Sequence, residues 1–395
     1  MLHIILLTAV SALRSTGTVC TRRCVAMVLE ASSEAPCAAT STTPLLLRAA
    51  RGEGVSQTPV WMMRQAGRHM QAYRDLVKRY PTFRERSEIP EAALEISLQP
   101  FEAYGVDGVI LFSDILTPLP AMGVDFAISE GGTIAISPIR TREALETLRR
   151  FDDVSTACPF VGQVLGELRA EIGDRATVLG FVGLPFTLAT YLVEGKTGTT
   201  SGFSEVAKMR EEDPELLHSI LSLLADNIGD YACYQIESGA QVIQVFDSWA
   251  GHLDDASYET FALPYQQRVV SAIKARYADT PVIVYMAPDV YSEGGRRLPM
   301  LAKTGADIIS VDHTIDFEKA REIVPDHIGL QGNLDPKLLR DGPLDEIKKQ
   351  TERILRAAGG THHVMNLGHG IEADTPEPHA AFFVDTVHAF IHDDP

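Results

Sequence analysis

The chain has 395 residues, 45% of them apolar and 22% charged, which is typical of a globular protein with a large core. Its formal net charge is −18, and the first 50 residues carry +2, which leaves −20 on the remainder. This excess of negative charge makes nucleic acid and anionic membrane surfaces poor partners.

The first 53 residues differ in composition from the rest. Residues 1–50 hold four arginines, two acidic residues and many Ser, Thr and Ala, and they open with the apolar run 4–10, which is too short to span a bilayer. We predict a targeting leader over residues 1–53, cleaved or disordered, followed by one domain over residues 54–395. The two-part pattern favours import into a plastid bounded by extra membranes. Mitochondrial import, secretion and a cytoplasmic location are the alternatives.

Cysteine usage favours a reducing compartment. Only Cys158 and Cys233 lie outside the predicted leader, too few for the disulfide framework of a secreted domain. Residues 54–395 contain no H-E-x-x-H or C-x-x-C motif, which argues against zinc or thiolate chemistry.

Two arginines follow the first apolar run of the domain. Arg64 and Arg68 come directly after residues 59–63, and Gly67 between them lets the backbone turn. A guanidinium is permanently charged, and its planar fork matches a carboxylate. Two such groups at one predicted strand end therefore suggest a polyanionic ligand. The alternative is a pair of solvated arginines on the first turn of a helix.

Short runs rich in Val and Ile alternate with longer segments of helical period from residue 54 onward. This pattern predicts a single (β/α)8 barrel, a distorted TIM barrel, with a doubly wound open sheet as the alternative. No Gly-rich nucleotide-binding motif follows the first strand. The eight predicted strands are residues 60–63, 109–112, 178–182, 242–246, 282–285, 308–311, 328–330 and 363–367.

Active sites of such barrels lie at the carboxyl ends of the strands, and polar side chains are concentrated there. Each could instead cap a helix, since Asp, Ser and Asn are favoured at that position. Helix capping is less favoured for Asp114, because two prolines follow at 118 and 120. The candidates are Arg64, Arg68, Ser113, Asp114, Phe186, Tyr191, Asp247, Ser248, Met286, Asp312, His313, Gln331, Asn333, Asn366 and His369.

Two familiar kinds of active site are disfavoured. Ser248 lacks the flanking glycines of a nucleophile elbow, which argues against a hydrolase triad. No lysine stands directly at a predicted strand end, where a Schiff base would form.

Six sequence blocks resemble the uroporphyrinogen decarboxylase family, and the resemblance covers essentially the whole chain after the leader. Blocks of this length in this order are highly specific. The segments around Phe112, residues 116–120 and Phe246 look most like the plastid forms of plants and algae. The blocks are 59–68 (PVWMMRQAGR), 112–116 (FSDIL), 190–195 (TYLVEG), 251–253 (GHL), 331–336 (QGNLDP) and 366–370 (NLGHG).

The resemblance implies a distorted barrel, a homodimer with facing clefts, and no cofactor. It implies cofactor-independent loss of the four acetate carboxyls of uroporphyrinogen III, which gives coproporphyrinogen III in haem and chlorophyll biosynthesis. Arg64 and Arg68 would bind substrate carboxylates and Asp114 the pyrrole N–H groups. Tyr191, Ser248 and His369 would be further substrate contacts, and Asp114, Arg64 and Tyr191 the catalytic residues.

Three positions depart from the family pattern. His69 replaces a usual Tyr, while Phe186 and His313 replace usual Trp residues; the loop 286–291 also differs. These departures bear on substrate preference or rate more than on reaction type. Two other functions stay open: a corrinoid or thiol methyltransferase of the same barrel superfamily, which needs zinc ligands, and a catalytically silent tetrapyrrole carrier.

Overall fold

The short Val- and Ile-rich runs form a parallel sheet in the computed structural model, which describes residues 43–128, 134–197, 202–288 and 293–392. The predicted leader up to residue 42 and part of the loop 286–291 lie outside the described residues. Seven strands pair in the order β1-β4-β5-β6-β7-β8-β9, and β2 and β3 form a separate antiparallel hairpin. The strands are β1 Gly108–Ile110, β2 Phe126–Ile128, β3 Ile134–Ile136, β4 Thr177–Gly183, β5 Val242–Phe246, β6 Val282–Tyr285, β7 Ile308–Ser310, β8 Gly329–Gln331 and β9 His363–Val364.

Residues 59–61 occupy the eighth position of the ring. Val60 forms a parallel bridge with Met365 beyond β9, and the Met365 amide donates to Pro59 O at 2.8 Å. On the other side the Asp107 amide, just before β1, donates to Val60 O at 2.8 Å. The segment thus joins the two edges of the sheet, and the predicted barrel fold is confirmed.

This eighth segment is shorter than the predicted strand over residues 60–63. The Met62 amide donates to the side chain of Gln65 at 3.0 Å, and the Met63 amide donates to the side chain of Asn366 at 2.9 Å. Side-chain acceptors therefore replace the backbone acceptors that would extend the ladder, and the barrel is distorted at this point.

Helices surround the sheet, and the longest, Pro214–Glu237, shows how the sequence specifies them. Asp213 accepts from the Leu216 amide as an N-cap, Pro214 stands at the first helical position, and the predicted apolar face is buried. The α-helices are Leu45–Ala50, Gln71–Val77, Phe83–Glu88, Pro90–Tyr104, Arg142–Leu145, Val154–Ala157, Pro159–Ile172, Pro185–Glu194, Ser204–Glu212, Pro214–Glu237, Asp255–Phe261, Leu263–Arg276, Leu298–Leu301, Phe317–Ile323, Pro336–Asp341, Leu344–Ala358 and Glu377–Ala389. No helix in the described part of the chain is both long and apolar enough to cross a membrane.

A buried polar chain crosses the barrel interior. The indole Nε1 of Trp61 donates to Gln331 Oε1 at 2.9 Å. Gln331 Nε2 donates to Gln244 Oε1 at 3.1 Å and to Ser310 Oγ at 3.0 Å. These four side chains come from separate segments of the ring and are essentially inaccessible to water. They link four segments of the ring, because Trp61 Nε1 and Gln331 Nε2 each have an acceptor on another segment.

The helix Leu45–Ala50 packs against the amino end of the barrel. Leu46 is fully buried in a cluster with Trp61 and with residues of β4, β5, β6, β7 and β9, and the Leu47 amide donates to Thr177 Oγ1 at 3.1 Å. A Cβ on Gly108 would lie 2.8 Å from Leu46 Cδ1, so the helix sits tightly under the sheet. The boundary predicted between residues 53 and 54 therefore needs correction, because residues 45–50 belong to the barrel.

Candidate active site

The strands of the ring run parallel, so their carboxyl ends meet at one end of the barrel. The predicted site residues follow these ends. The Arg64 guanidinium lies close enough to Asp114 and Tyr191 to influence the pKa of each. His369, which follows β9, also senses the Arg64 charge. Arg64 is thus common to all these interactions.

Arg64 itself lies in a turn of the backbone, three residues before the turn predicted at Gly67. Its φ of 62° lies in the left-handed region, which non-glycine residues rarely adopt. A Cβ on Gly370 would lie 2.5 Å from Arg64 Cδ, so the arginine stem packs against the Asn366–Gly370 segment. The backbone also bends at Gly67, whose carbonyl accepts from the Met70 amide at 2.9 Å, but it is Arg64 that takes the left-handed conformation.

Both arginine heads are available to a ligand. Arg64 and Arg68 are exposed, and none of the hydrogen bonds or ion pairs identified among the described residues occupies either guanidinium. The backbone before the next helix is held instead by Arg74, whose Nη1 donates to the carbonyls of Arg68 and His69 at 2.6 and 2.8 Å. Neither of these two cations at the mouth of the barrel thus forms an ion pair in the part of the chain that the structure describes. Such groups fit the carboxylates of an anionic ligand.

Asp114 follows β1 and is partly buried. Its Oδ1 accepts from the Leu116 amide at 2.8 Å within a turn, and the first helical residues come only at Pro120. Asp114 therefore does not cap a helix, as the two prolines predicted. Burial raises the pKa of Asp114, while the Leu116 amide and the nearby Arg64 oppose the rise.

Tyr191 reaches the site from the last turns of the helix Pro185–Glu194. Its ring centroid lies 4.0 Å from that of Trp249, which follows β5. Burial raises the pKa of Tyr191, and Asp114 adds to the rise. Tyr191 is therefore a neutral hydroxyl near Asp114 at neutral pH. Ser248, beside Trp249, is partly buried at the end of β5.

His369 is a neutral imidazole. Burial lowers the pKa of His369 to about 4, and Arg64 and His313 contribute in the same direction. Its ring centroid lies 6.4 Å from that of Tyr285, at nearly a right angle. His313 is held beside the site because its backbone packs against Gly368. Tyr285, at the end of β6, is a site neighbour that sequence reasoning missed, since it read as part of an apolar strand.

The other two departures from the family pattern lie in the protein interior. His69 is buried with its ring 6.2 Å from that of Tyr104, and burial lowers the pKa of His69 to about 4. Phe186 is 3% exposed and packs in the main core. Both side chains therefore support the wall of the barrel.

Among the described residues, no group of three or more His, Cys, Asp or Glu side chains is placed to hold a metal ion. Cys158 and Cys233 are buried and free. Burial raises the pKa of the Cys158 thiol to about 12, so this thiol stays protonated.

The chain is similar to known proteins over most of its length. The family model described as uroporphyrinogen decarboxylase (URO-D) matches residues 41–390. The chain is 52% identical over 344 residues to the uroporphyrinogen decarboxylase of Prochlorococcus marinus (strain MIT 9303), covering 87% of this chain and 95% of that one. It is 52% identical over 347 residues to the uroporphyrinogen decarboxylase of Nostoc punctiforme, covering 88% and 96%.

Among solved structures, the chain is similar to a methyltransferase from Methanosarcina mazei, with a TM-score of 0.73 and 22% identity over 88% of this chain and 98% of that one. At that identity the likeness concerns the fold alone. The sequence relatives and the family model agree over almost the whole described chain, and together they show that it belongs to the uroporphyrinogen decarboxylase family.

Proposed function

We propose that this protein is a uroporphyrinogen decarboxylase, a carboxy-lyase that converts the four acetate side chains of uroporphyrinogen III to methyl groups. The observation that carries the proposal is the meeting of Arg64, Asp114, Tyr191 and His369 at one end of the barrel, where neither Arg64 nor Arg68 forms an ion pair among the described residues. Guanidiniums suit the many carboxylates of the substrate, and the Asp114 carboxylate near Arg64 suits its pyrrole N–H groups.

Each turn of the reaction replaces a carboxylate by a proton. Protonation of a pyrrole carbon makes a cationic ring, and the bond between the acetate methylene and its carboxylate then breaks. CO2 leaves, and the bonding electron pair neutralises the ring. A second proton reaches the methylene carbon to make the methyl group, and the ring carbon returns the first.

Asp114 is suited to stabilise the cationic ring. An anion already in place when positive charge develops requires little reorganisation, which is the source of large electrostatic effects in active sites. Burial raises the pKa of Asp114, but Arg64 and the Leu116 amide favour its ionised form. Pyrrole N–H groups would donate to the same carboxylate and orient the substrate.

Arg64 and His369 fit different tasks. The guanidinium is ionised at any physiological pH, so Arg64 binds a carboxylate and delivers a proton only through a water molecule. His369 is neutral because burial lowers its pKa to about 4, which lets its imidazole donate a hydrogen bond while adding no charge. Tyr191 supplies a protonated hydroxyl, and Arg68 and Ser248 provide further contacts.

The location and assembly of the protein form part of the proposal. The leader composition and the cyanobacterial relatives support a plastid enzyme, and the family resemblance supports a homodimer. Imaging of a fusion of residues 1–42 to a fluorescent protein tests the proposed plastid location. Sedimentation of the protein beginning at residue 43 tests the dimer.

The deciding experiment is turnover of reduced uroporphyrinogen by the protein beginning at residue 43, with CO2 and methylated products measured with and without a chelator. We expect four CO2 released per substrate and no effect of the chelator. Tight binding without CO2 would identify the silent carrier. Loss of activity in the presence of the chelator would indicate that the reaction depends on a metal ion.

A further inference from the structure

A buried carboxylate lies behind the candidate site. Asp247 directly follows β5 and is inaccessible to water. Its Oδ1 accepts from the amide and the hydroxyl of Thr187 at 3.0 and 2.7 Å. Its Oδ2 accepts from Gln266 Nε2 at 2.7 Å. A buried anion with three donors from two other elements is a specific arrangement, because burying a charge is costly unless it is well bonded.

The first contact caps a helix from outside its own sequence. The helix Pro185–Glu194 begins after Leu184, which offers no side-chain cap. Thr187 is the third residue of that helix, and its amide is one of the groups that lack an intrahelical acceptor. Asp247 provides that acceptor from the neighbouring strand and places negative charge at the helix amino end, where it is favoured.

The same carboxylate also fixes the loop that follows β5. The hydroxyl of Thr187 donates to Asp247 and accepts from the Trp249 amide at 3.1 Å. Trp249 packs its ring against Tyr191, four residues beyond Thr187 on the same helix. Tyr191 and the turn containing Ser248 are therefore held by one anchor.

A polar chain extends away from the site and sets the direction of these bonds. Gln266 donates to Asp247, and its Oε1 accepts from the Tyr258 hydroxyl at 2.6 Å. All three side chains are fully buried. An ionised carboxylate only accepts, so Gln266 must present its amide nitrogen to Asp247 and its oxygen to Tyr258. The guanidinium of Arg297 lies 4.4 Å from the Tyr258 ring centroid and closes the chain.

We infer that Asp247 is a positioning residue, which holds Tyr191 and Ser248 in place for the proposed reaction by joining the helix amino end to the loop after β5. This inference rests on the proposed function, although the geometry itself is independent of it. Asp247 acts through Thr187 and Trp249.

The test exchanges the donor and the acceptor of the hydrogen bond between Asp247 and Gln266. Asp247→Asn keeps an oxygen for Thr187 but turns an amide nitrogen toward the nitrogen of Gln266. The double variant Asp247→Asn with Gln266→Glu restores a donor facing an acceptor, and the introduced carboxylate still accepts from Tyr258. Thr187→Val removes the hydroxyl link to Trp249 without touching the buried charge, and Thr187→Ser keeps it. Asp213→Asn, which alters the N-cap of Pro214–Glu237, is the matched control.

We expect Asp247→Asn and Thr187→Val to lower kcat by about 10-fold or more, with KM changed by less than about 3-fold. The double variant and Thr187→Ser should recover most of the loss, and Asp213→Asn should keep wild-type kcat. Circular dichroism at the assay temperature shows which variants are folded, and only those variants are compared. If Asp247→Asn does not fold, the difference in kcat between Thr187→Val and Thr187→Ser tests the inference by itself.

Tryptophan fluorescence gives a readout that needs no substrate. The chain has two tryptophans, Trp61 at the amino end of the barrel and Trp249 beside Tyr191. We expect Thr187→Val to shift the emission and to increase acrylamide quenching, and Trp249→Phe to remove that change. A folded Thr187→Val protein with wild-type kcat and emission would overturn the inference. Absence of CO2 release from the wild-type protein would overturn the proposed function alone, because fluorescence would still report the anchor.

Discussion

Asp114 combines burial with an adjacent cation, and this combination determines what its charge can do. Near the guanidinium of Arg64 the carboxylate remains available as an anion, although burial raises its pKa. Tyr191, whose pKa burial also raises, adds a hydroxyl and no competing charge. Asp114 therefore supplies negative charge beside Arg64, while Tyr191 stays neutral.

Asp114→Asn should keep the shape of the site and lose this charge. A charge-assisted contact is worth about 1.5 to 3 kcal/mol, so we expect kcat/KM for uroporphyrinogen to fall by about 10- to 150-fold. Steady-state kinetics measures the change, with Asp153→Asn, a helix N-cap on the exposed surface, as the control. Near-wild-type turnover of Asp114→Asn would remove the residue from the mechanism.

Buried histidines make the protein sensitive to acid. Burial lowers the pKa of His363 to about 4, whereas an unfolded chain binds that proton near pH 6.5. The unfolded state thus binds more protons between these values, and the free energy of unfolding falls as the pH falls from about 6.5 to 4. At pH 5 the loss is about 2 kcal/mol for this residue.

His363→Gln should remove that part of the pH dependence, since a Gln nitrogen can still donate to Gly332 O as the imidazole does. Urea unfolding of both proteins at pH 7 and pH 5 gives the difference. Asp247 acts in the opposite sense, because burial raises its pKa to about 6 and its contribution to stability grows as the pH falls. That contribution is the same in both proteins and cancels. Equal pH dependence in the two proteins would contradict the expectation.

At this scale, some site residues could be read from the sequence and others could not. Asp114 was identifiable because two prolines exclude a helix after it. The left-handed backbone of Arg64 was not, since no glycine marks the position and Gly370, which the arginine stem contacts, is remote in the sequence. The role inferred for Asp247 was hidden as well, because its partners Thr187 and Gln266 come from other elements and meet it only in the fold.

At the scale of elements, the repeated Val- and Ile-rich runs predicted the seven paired strands, because strands buried on both faces require continuous apolar sequence. The first segment was predicted too long, since side-chain acceptors end its ladder. The helix Leu45–Ala50 was missed because the average composition of residues 1–50 conceals one short apolar run. Its partners on the barrel are remote in sequence.

Truncation can measure what this helix contributes. A protein beginning at residue 43 should unfold like the full chain, whereas one beginning at Gly54 should lose several kcal/mol of stability, because the cluster around Leu46 and Trp61 becomes exposed. Leu46→Ala in the longer protein should cost about 2 to 5 kcal/mol. Urea titration measures all three. Equal stability of the two truncated proteins would place the helix outside the cooperative core.

At the scale of the whole molecule, the protein and its proposed substrate are both negatively charged and repel each other. The domain carries about −20, and the proposed substrate bears eight carboxylates, so long-range attraction cannot bring them together. Arg64 and Arg68 act over a few ångströms at the mouth of the barrel, whereas the repulsion acts over the whole surface. Salt screens the distant charges first, since the Debye length is about 10 Å at 0.1 M.

We therefore expect kcat/KM to stay level or rise slightly as ionic strength goes from very low to moderate values. Arg64→Ala and Arg68→Ala should each lower it sharply at every salt concentration. Arg149→Ala, on the exposed surface, is the control. A steep fall with salt in the wild-type protein would indicate steering by a larger basic surface.

The segment that closes the ring has a further consequence for how the chain is made. Residues 59–61 bond to Asp107 and, far along the sequence, to Met365, and Gln57 bridges Ile391. A ribosome releases residue 57 more than 300 residues before residue 391. The ring therefore cannot close during synthesis until residue 365 has left the ribosome, so the amino-terminal segment has to wait for a partner that is made late.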